Sequence, residues 1–241
     1  DVCGVYIEPR DLPQIYKNVE NFFDVMTDSK LYFFCGKGLK DKFLNTLGYK
    51  NITIVELEVI NFNPETYSNF MKSPEFWDTF DWNYTHILTI QSDGCLCKNS
   101  TYNITNFMHY DYIGGYAHKQ SWWSELLHHR HTNNSHYKCF NGGFSLRNIE
   151  ACKHIIRNYP TSSTEKYYKK CPHINYPEDL YFVIGMFKLK YNVAIDKFAT
   201  NFCSHTSFIN NSFCIHRLNK YTDSAELGKC LEYCPDFKFF L

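Results

Sequence analysis

Two rhythms of hydrophobic positions alternate along the first ninety residues. "CGVYIEPR" is a short apolar run that stops at Pro9 and predicts a strand. "LYFFCGKG", halted by glycines, "NITIVELEV" and "THILTIQSD" predict three more. Between them, Ile15, Val19, Phe22, Phe23 and Met26 recur at helical spacing in "LPQIYKNVENFFDVM". "LKDKFLNTLG" predicts a short helix ending at Gly48, and "NPETYSNFMKSPEFWDTF" a helix in two pieces broken at Pro74. Strands alternating with helices predict an α/β fold with a mostly parallel central sheet flanked by helices. In such sheets ligands sit outside the carboxyl ends of the strands, where Glu8, Gly36, Lys37 and Asp93 fall.

After Asp93 the pattern loosens. "ITNFMHYDYIGGY" predicts a short helix or strand closing on two glycines, and Lys119 to Lys138 a polar, histidine-rich surface loop. "KCFNGGFSLRNIEACKHIIRNY" reads as a turn feeding a helix. "NYPEDLYFVIGMFKLK" reads as a helix with an acidic start, and "YNVAIDKFATNFC" as a last strand. The tail from Tyr221 carries no clear period. No repeat, low-complexity segment or linker divides the chain, so residues 1–241 are expected to form a single domain.

Composition narrows the partners. Twenty-five basic residues balance 25 acidic ones, and without a basic excess neither nucleic acid nor a membrane surface is an expected partner. No apolar run reaches the ~18 residues of a membrane span. Some of the 19 Tyr, 21 Phe and 4 Trp must line the core, but so many also suit stacking on sugars or bases. The 11 cysteines are odd in number and scattered, unlike a secreted disulfide framework, and lean the chain toward a cytoplasmic or viral intracellular setting. Six N-x-S/T sequons (Asn51, Asn83, Asn99, Asn103, Asn133, Asn210) point instead to the secretory route. Cys95/Cys97 and Cys230/Cys234 each look like half of a zinc site, but neither has a second half at convincing spacing, so zinc is not expected.

Five clusters could carry chemistry. Gln91-Ser92-Asp93 ends a strand, and its carboxylate either caps the turn before Gly94 or holds a hard cation on a diphosphate. In "FNGGFSLRN" the paired glycines serve an ordinary turn or let the backbone approach a ligand. Glu178-Asp179 either complement a helix macrodipole or supply a general base. His216 in "FCIHRLNKY" is a lone histidine near the end of the sheet. "HHRHTNNSH" (His128, His129, His131, His136) reads as solvated loop, preceded by Trp122 and Trp123, which suit stacking on a sugar face.

The order of these pieces is more specific than any one of them. Strand–Q-S-D, "YDYIGG", "NGGFSLRN", "PEDLYF" and a late histidine resemble a nucleotide-sugar glycosyltransferase of the GT-A class. The likeness runs over roughly residues 4 to 220 and is greatest to a family of short GT-A-like proteins. Their pattern reads Q-T-D-S, Y-D-Y-I-G-A-P-W, G-N-G-G-x-S-L-R, E-D-x-x-F and H-K-P-W. The resemblance implies a GT-A-like, Rossmann-like sheet with a nucleotide-binding half over about 1–98, an acceptor and catalytic half over about 99–220, and a tail over 221–241. It implies Glu8 and Arg10 at the nucleotide, and Gln91, Ser92 and Asp93 in place of a D-x-D motif. Asn141, Gly142 and Gly143 would lie at the donor sugar, Asp93 and His216 on Mn²⁺ or Mg²⁺, and Glu178 and Asp179 at the catalytic position, with Asp179 as base. Tyr116-Ala117-His118 replace the family's Pro-Trp, which passes the acceptor-binding aromatic role to Trp122 or Trp123. The implied activity is metal-assisted, inverting transfer from a UDP-sugar to a hydroxyl on a glycan or protein. The rivals are a sugar-binding protein with a degenerate site and a glycoside hydrolase using two carboxylates.

Overall fold

The computed structural model describes residues 1–117, 138–161 and 172–241. Val2–Glu8 (β1) is buried along its whole length, as expected of a strand covered on both faces. Its side chains alternate between two cores. Cys3, Val5 and Ile7 join Trp77, Ile155 and Phe182 on one face. Val2 and Tyr6 join Ile15, Val19 and Phe22 of Gln14–Val25 (α1) on the other.

The chain then alternates through Leu31–Cys35 (β2), Lys40–Leu47 (α2), Ile52–Glu56 (β3), Pro64–Met71 (α3), Pro74–Trp77 (α4) and His86–Ile90 (β4). These four strands pair in parallel. The break at Pro74 is real. Asn63 and Thr66 form a capping box before α3, Ser73 caps α4, and a proline opens each helix where its missing N–H costs nothing.

Gly94–Leu96 (β5), Tyr112–Tyr116 (β6), Cys139–Asn148 (β7), Ile149–Asn158 (α5), Glu178–Leu189 (α6), Cys203–Ser204 (β8), Cys214–His216 (β9) and Ser224–Tyr233 (α7) follow. Here the sheet changes direction. β7 runs antiparallel to β4, and β6 antiparallel to β7. The order across the described sheet is β3-β2-β1-β4-β7-β6-β8-β9-β5, so β5 returns at the far edge against β9. No helix among the described residues is long and apolar enough to cross a membrane.

Two sequence expectations are corrected, and the unassigned tail gains a structure. "FNGG" is not a turn but part of β7, whose last four residues pair with β4 and which pairs with β6 through a register that shifts around Asn141. "YNVAIDKFATNFC" gives a 3₁₀ turn (Phe198–Asn201), the two-residue β8 and one isolated bridge from Val193 to Tyr112, because its apolar positions feed the core without a continuous ladder. The tail is ordered as α7 and a 3₁₀ segment, Pro235–Phe240.

Two polar residues on the inner face of α1 position the loop between β4 and β5. Asn18 Nδ2 donates to Gly94 O at 2.9 Å, and its Oδ1 accepts from Tyr6 Oη at 3.1 Å. Asn21 treats Leu96 as a strand would: its Oδ1 accepts from the Leu96 N–H at 2.8 Å and its Nδ2 donates to Leu96 O at 2.9 Å. Asn21→Ala strands both backbone groups in a buried place. Chemical denaturation is expected to register a loss of about 1–3 kcal/mol, and an unchanged midpoint would contradict this role.

Candidate active site

A cleft of about 370 Å³ opens at the carboxyl ends of β1 and β4. Four other segments reach it: the start of α3, the middle of β7, the start of α6 and the turn after β9. From β1 come buried Glu8 and half-exposed Arg10, whose guanidinium grips the Glu8 carboxylate at 2.8 and 2.9 Å. From β4 come Gln91, Ser92 and Asp93, with Gln91 Nε2 3.4 Å from Tyr67 Oη of α3.

Pairing of β5 with β9 sets Gly94 against His216, so the residue before one meets the side chain of the other. His216 Nε2 lies 3.1 Å from Asp93 Oδ1. His216 Nδ1 lies 2.8 Å from Asn141 Oδ1, so the ring bridges the amide and the carboxylate, and its tautomer sets which of the two accepts its proton. Burial depresses the His216 pKa and outweighs the pull of Asp93. Burial also pushes the Asp93 carboxyl up, but the His216 contact and the charges of His216 and Arg217 bring it below its ordinary value. Arg217 Nε approaches Asp93 Oδ2 at 3.0 Å, off the line a hydrogen bond needs. His205 stacks on His216 with ring centres 4.9 Å apart, and burial followed by the neighbouring His216 pulls it down to about 3.

The glycines serve close packing within the protein. A β-carbon on Gly142 would lie 2.5 Å from Glu178 Oε1 and 2.6 Å from Arg147 Nη2; one on Gly143 would lie 2.1 Å from the His216 ring. β7 can therefore touch both α6 and His216, a requirement for the pair that exists within the protein itself. Arg147, fully buried, lies beneath. It donates to Ser145 Oγ at 2.8 Å, to Gly142 O at 3.3 Å and to Glu178 Oε1 at 2.8 Å. The next residue, Asp179, still touches the cleft and accepts from the Gly142 N–H at 3.2 Å. Burial, then the charge of Glu178, raises its carboxyl to about 7.

The structure thus brings Glu8, Arg10, Gln91, Ser92, Asp93, Asn141, Gly142, Gly143, Glu178, Asp179 and His216 to one cleft. Trp122, Trp123 and the histidine-rich stretch lie outside the described residues. Sequence reasoning missed Arg217, His205 and the α3 group Asn63, Tyr67 and Ser68. The dipeptide His216-Arg217 at a strand end was a signal for the first; nothing in "NPETYSNF" marked the third.

Arg147→Met leaves Glu178 charged, buried and unpaired, and is expected to cost about 3–5 kcal/mol in denaturant unfolding; a loss below 1 kcal/mol would contradict the pairing. The raised Asp179 carboxyl works against the fold. Its native pKa of about 7 exceeds the ordinary 3.8, so the native state binds the extra proton. Stability is full below about pH 4 and falls as pH rises toward 7. Asp179→Asn is expected to flatten that fall in melting curves taken across the window.

The fold, as distinct from the site, has counterparts among known proteins. A galactosyltransferase, LgtC, solved in complex with donor and acceptor sugar analogs, is 12% identical, with a TM-score of 0.52 over 92% of this chain and 88% of that one. Mouse xyloside xylosyltransferase 1, in its apo form, is 8% identical, with a TM-score of 0.53 over 92% of this chain and all of the other. The chain has the α/β architecture of these GT-A glycosyltransferases. No curated protein sequence matches it. Residues 51–216, most of the chain and most of the cleft, match one family model, and the protein belongs to the family described as protein of unknown function (DUF5672).

Proposed function

We propose that this protein transfers a sugar from a nucleotide-sugar, a UDP-sugar, to a hydroxyl of a glycan or protein acceptor, with inversion at the anomeric carbon. The observation that carries the reading is the division of the cleft around the glycine pair. The Asp93–His216 couple lies on the Gly143 side and the high-pKa Asp179 on the Gly142 side. The shared architecture supports it.

The donor set suits a divalent cation. An imidazole nitrogen and a carboxylate oxygen lie 3.1 Å apart, about the edge between adjacent ligands of a six-coordinate ion with bonds near 2.1 Å. Among the described residues no group of three metal-ligating side chains forms, so diphosphate oxygens and water would complete the shell. When bound, Mn²⁺ or Mg²⁺ offsets charge on the leaving diphosphate. Arg217 lends a fixed positive charge on the same side. Glu8, held by Arg10, faces the nucleotide, Gln91 and Ser92 the phosphates, and Asn141 fixes the His216 ring.

Asp179 takes the proton from the acceptor hydroxyl. Glu178 is committed to Arg147 and serves as anchor, whereas Asp179, with a pKa of about 7, is matched to proton transfer near neutrality. The ionised form is the base, so activity rises with pH up to about 7 and then levels. Release of UDP from UDP-sugars in the presence of a panel of glycan acceptors measures this. Asp179→Asn is expected to lower the rate by about 10²–10⁴-fold and to abolish the rising limb. Donor binding with no turnover on any acceptor would favour the sugar-binding reading. Cleavage of simple glycosides without nucleotide would favour a hydrolase.

A further inference from the structure

The two cysteine pairs, which looked unrelated in the sequence, meet in the fold. On β5 and just beyond, Leu96 points into the α1 core while Cys95 and Cys97, two residues apart, both face the other way. On α7 and at its end, Cys230 and Cys234 lie one helical turn apart. All four are buried together with Ile215, Leu218, Phe237 and Phe240. Cys95 and Cys234, 139 residues apart in sequence, have their sulfurs 3.6 Å apart, in van der Waals contact. The Cys95–Cys234 contact sets two thiols at a separation from which a disulfide can close.

We propose that Cys95 and Cys234 form an oxidisable disulfide pair that staples the C-terminal helix to the strand leaving the Asp93 turn. Hydrogen bonds from Cys95 and Cys97 pull the Cys234 thiol down to about 5, which makes it the attacking thiolate. The oxidant is a low-molecular-weight disulfide such as glutathione disulfide, met when the tail opens locally. Cys234 sulfur attacks it and forms a mixed disulfide, and one glutathione thiol leaves. Cys95 gives up its proton and attacks the Cys234 sulfur; the second glutathione leaves with that proton. Two cysteine thiols are oxidised and one glutathione disulfide is reduced to two thiols. The closed bond joins segments 139 residues apart and restricts the unfolded chain.

The pair is tested on the full chain equilibrated in glutathione redox buffers, then alkylated and analysed by nonreducing peptide mapping and metal analysis. The expected product has lost two hydrogens and carries one cross-link between Cys95 and Cys234. The cross-link is retained in Cys97→Ser and lost in Cys95→Ser and Cys234→Ser, and the oxidised form melts about 10 °C above the reduced one. Three results would overturn the proposal: no cross-link at any glutathione ratio, a cross-link joining other cysteines such as Cys203 and Cys214, or stoichiometric zinc shielding the four thiols from alkylation. Mapping of the unsubstituted chain decides the matter even where a serine variant fails to fold. None of the readouts depends on glycosyl transfer.

Discussion

The cleft is organised around a guanidinium that solvent never reaches. Arg147 projects from β7 beneath the glycine pair and meets Glu178 at the first turn of α6. Burying both charges carries a large desolvation cost. Hydrogen bonds to Ser145, Gly142 and Glu178, and the faces of the Tyr112 and Phe182 rings at 5.2 and 5.6 Å, offset it. One nitrogen, Nη1, has no partner among the described residues. The pair does what apolar residues could not: it fixes the rotation of α6 about its axis. With Glu178 held, Asp179 has little choice but to dock on the Gly142 N–H.

The opposite wall has a different cause. β4 delivers Asp93 to the cleft, but the chain needs more than a hundred further residues before β9 supplies His216. What joins them is backbone pairing of two three-residue strands, β5 and β9, at the far edge of the sheet. Strands that short hold little register by themselves. Asn18 and Asn21 grip the β5 backbone from α1, and the C-terminal helix packs its apolar face on β5 from the other side. A tail that appears peripheral is thereby part of what sets the Asp93–His216 distance.

The first half of this architecture was legible because each element obeys one period. β1, β2 and β4 are continuous apolar runs, α1 carries Ile15, Val19 and Phe22 at helical spacing, and the caps at Asn63 and Ser73 are local. The second half was not, because its strands are defined by partners far away in sequence. "FNGG" reads as a turn from local preference. It lies in a strand because Asn141 pairs with Gly115 of β6 across a shifted register, and its glycines leave the room that Glu178 and His216 occupy. The order of motifs did point to Asp93, Asn141, Asp179 and His216 as neighbours. Arg217 was signalled only by its place after His216 at a strand end, and nothing local marked His205, which reaches the site by stacking on the His216 ring.

Two of the four carboxylates lining the cleft are driven in opposite directions: Asp93 toward the ionised form by the His216 contact and nearby positive charge, Asp179 toward the neutral form by burial beside Glu178. Separate acid–base roles are what transfer from a charged donor to a neutral hydroxyl calls for. The most direct measurement of this account is calorimetric titration of UDP-, GDP- and CMP-sugars into the protein, with Mn²⁺ and with EDTA, on the natural chain and on Asp93→Ala. The account predicts binding of UDP-sugars that requires the metal and weakens at least about tenfold when Asp93 is removed. Binding of no nucleotide-sugar, or equal binding with Asp93 replaced, would contradict it.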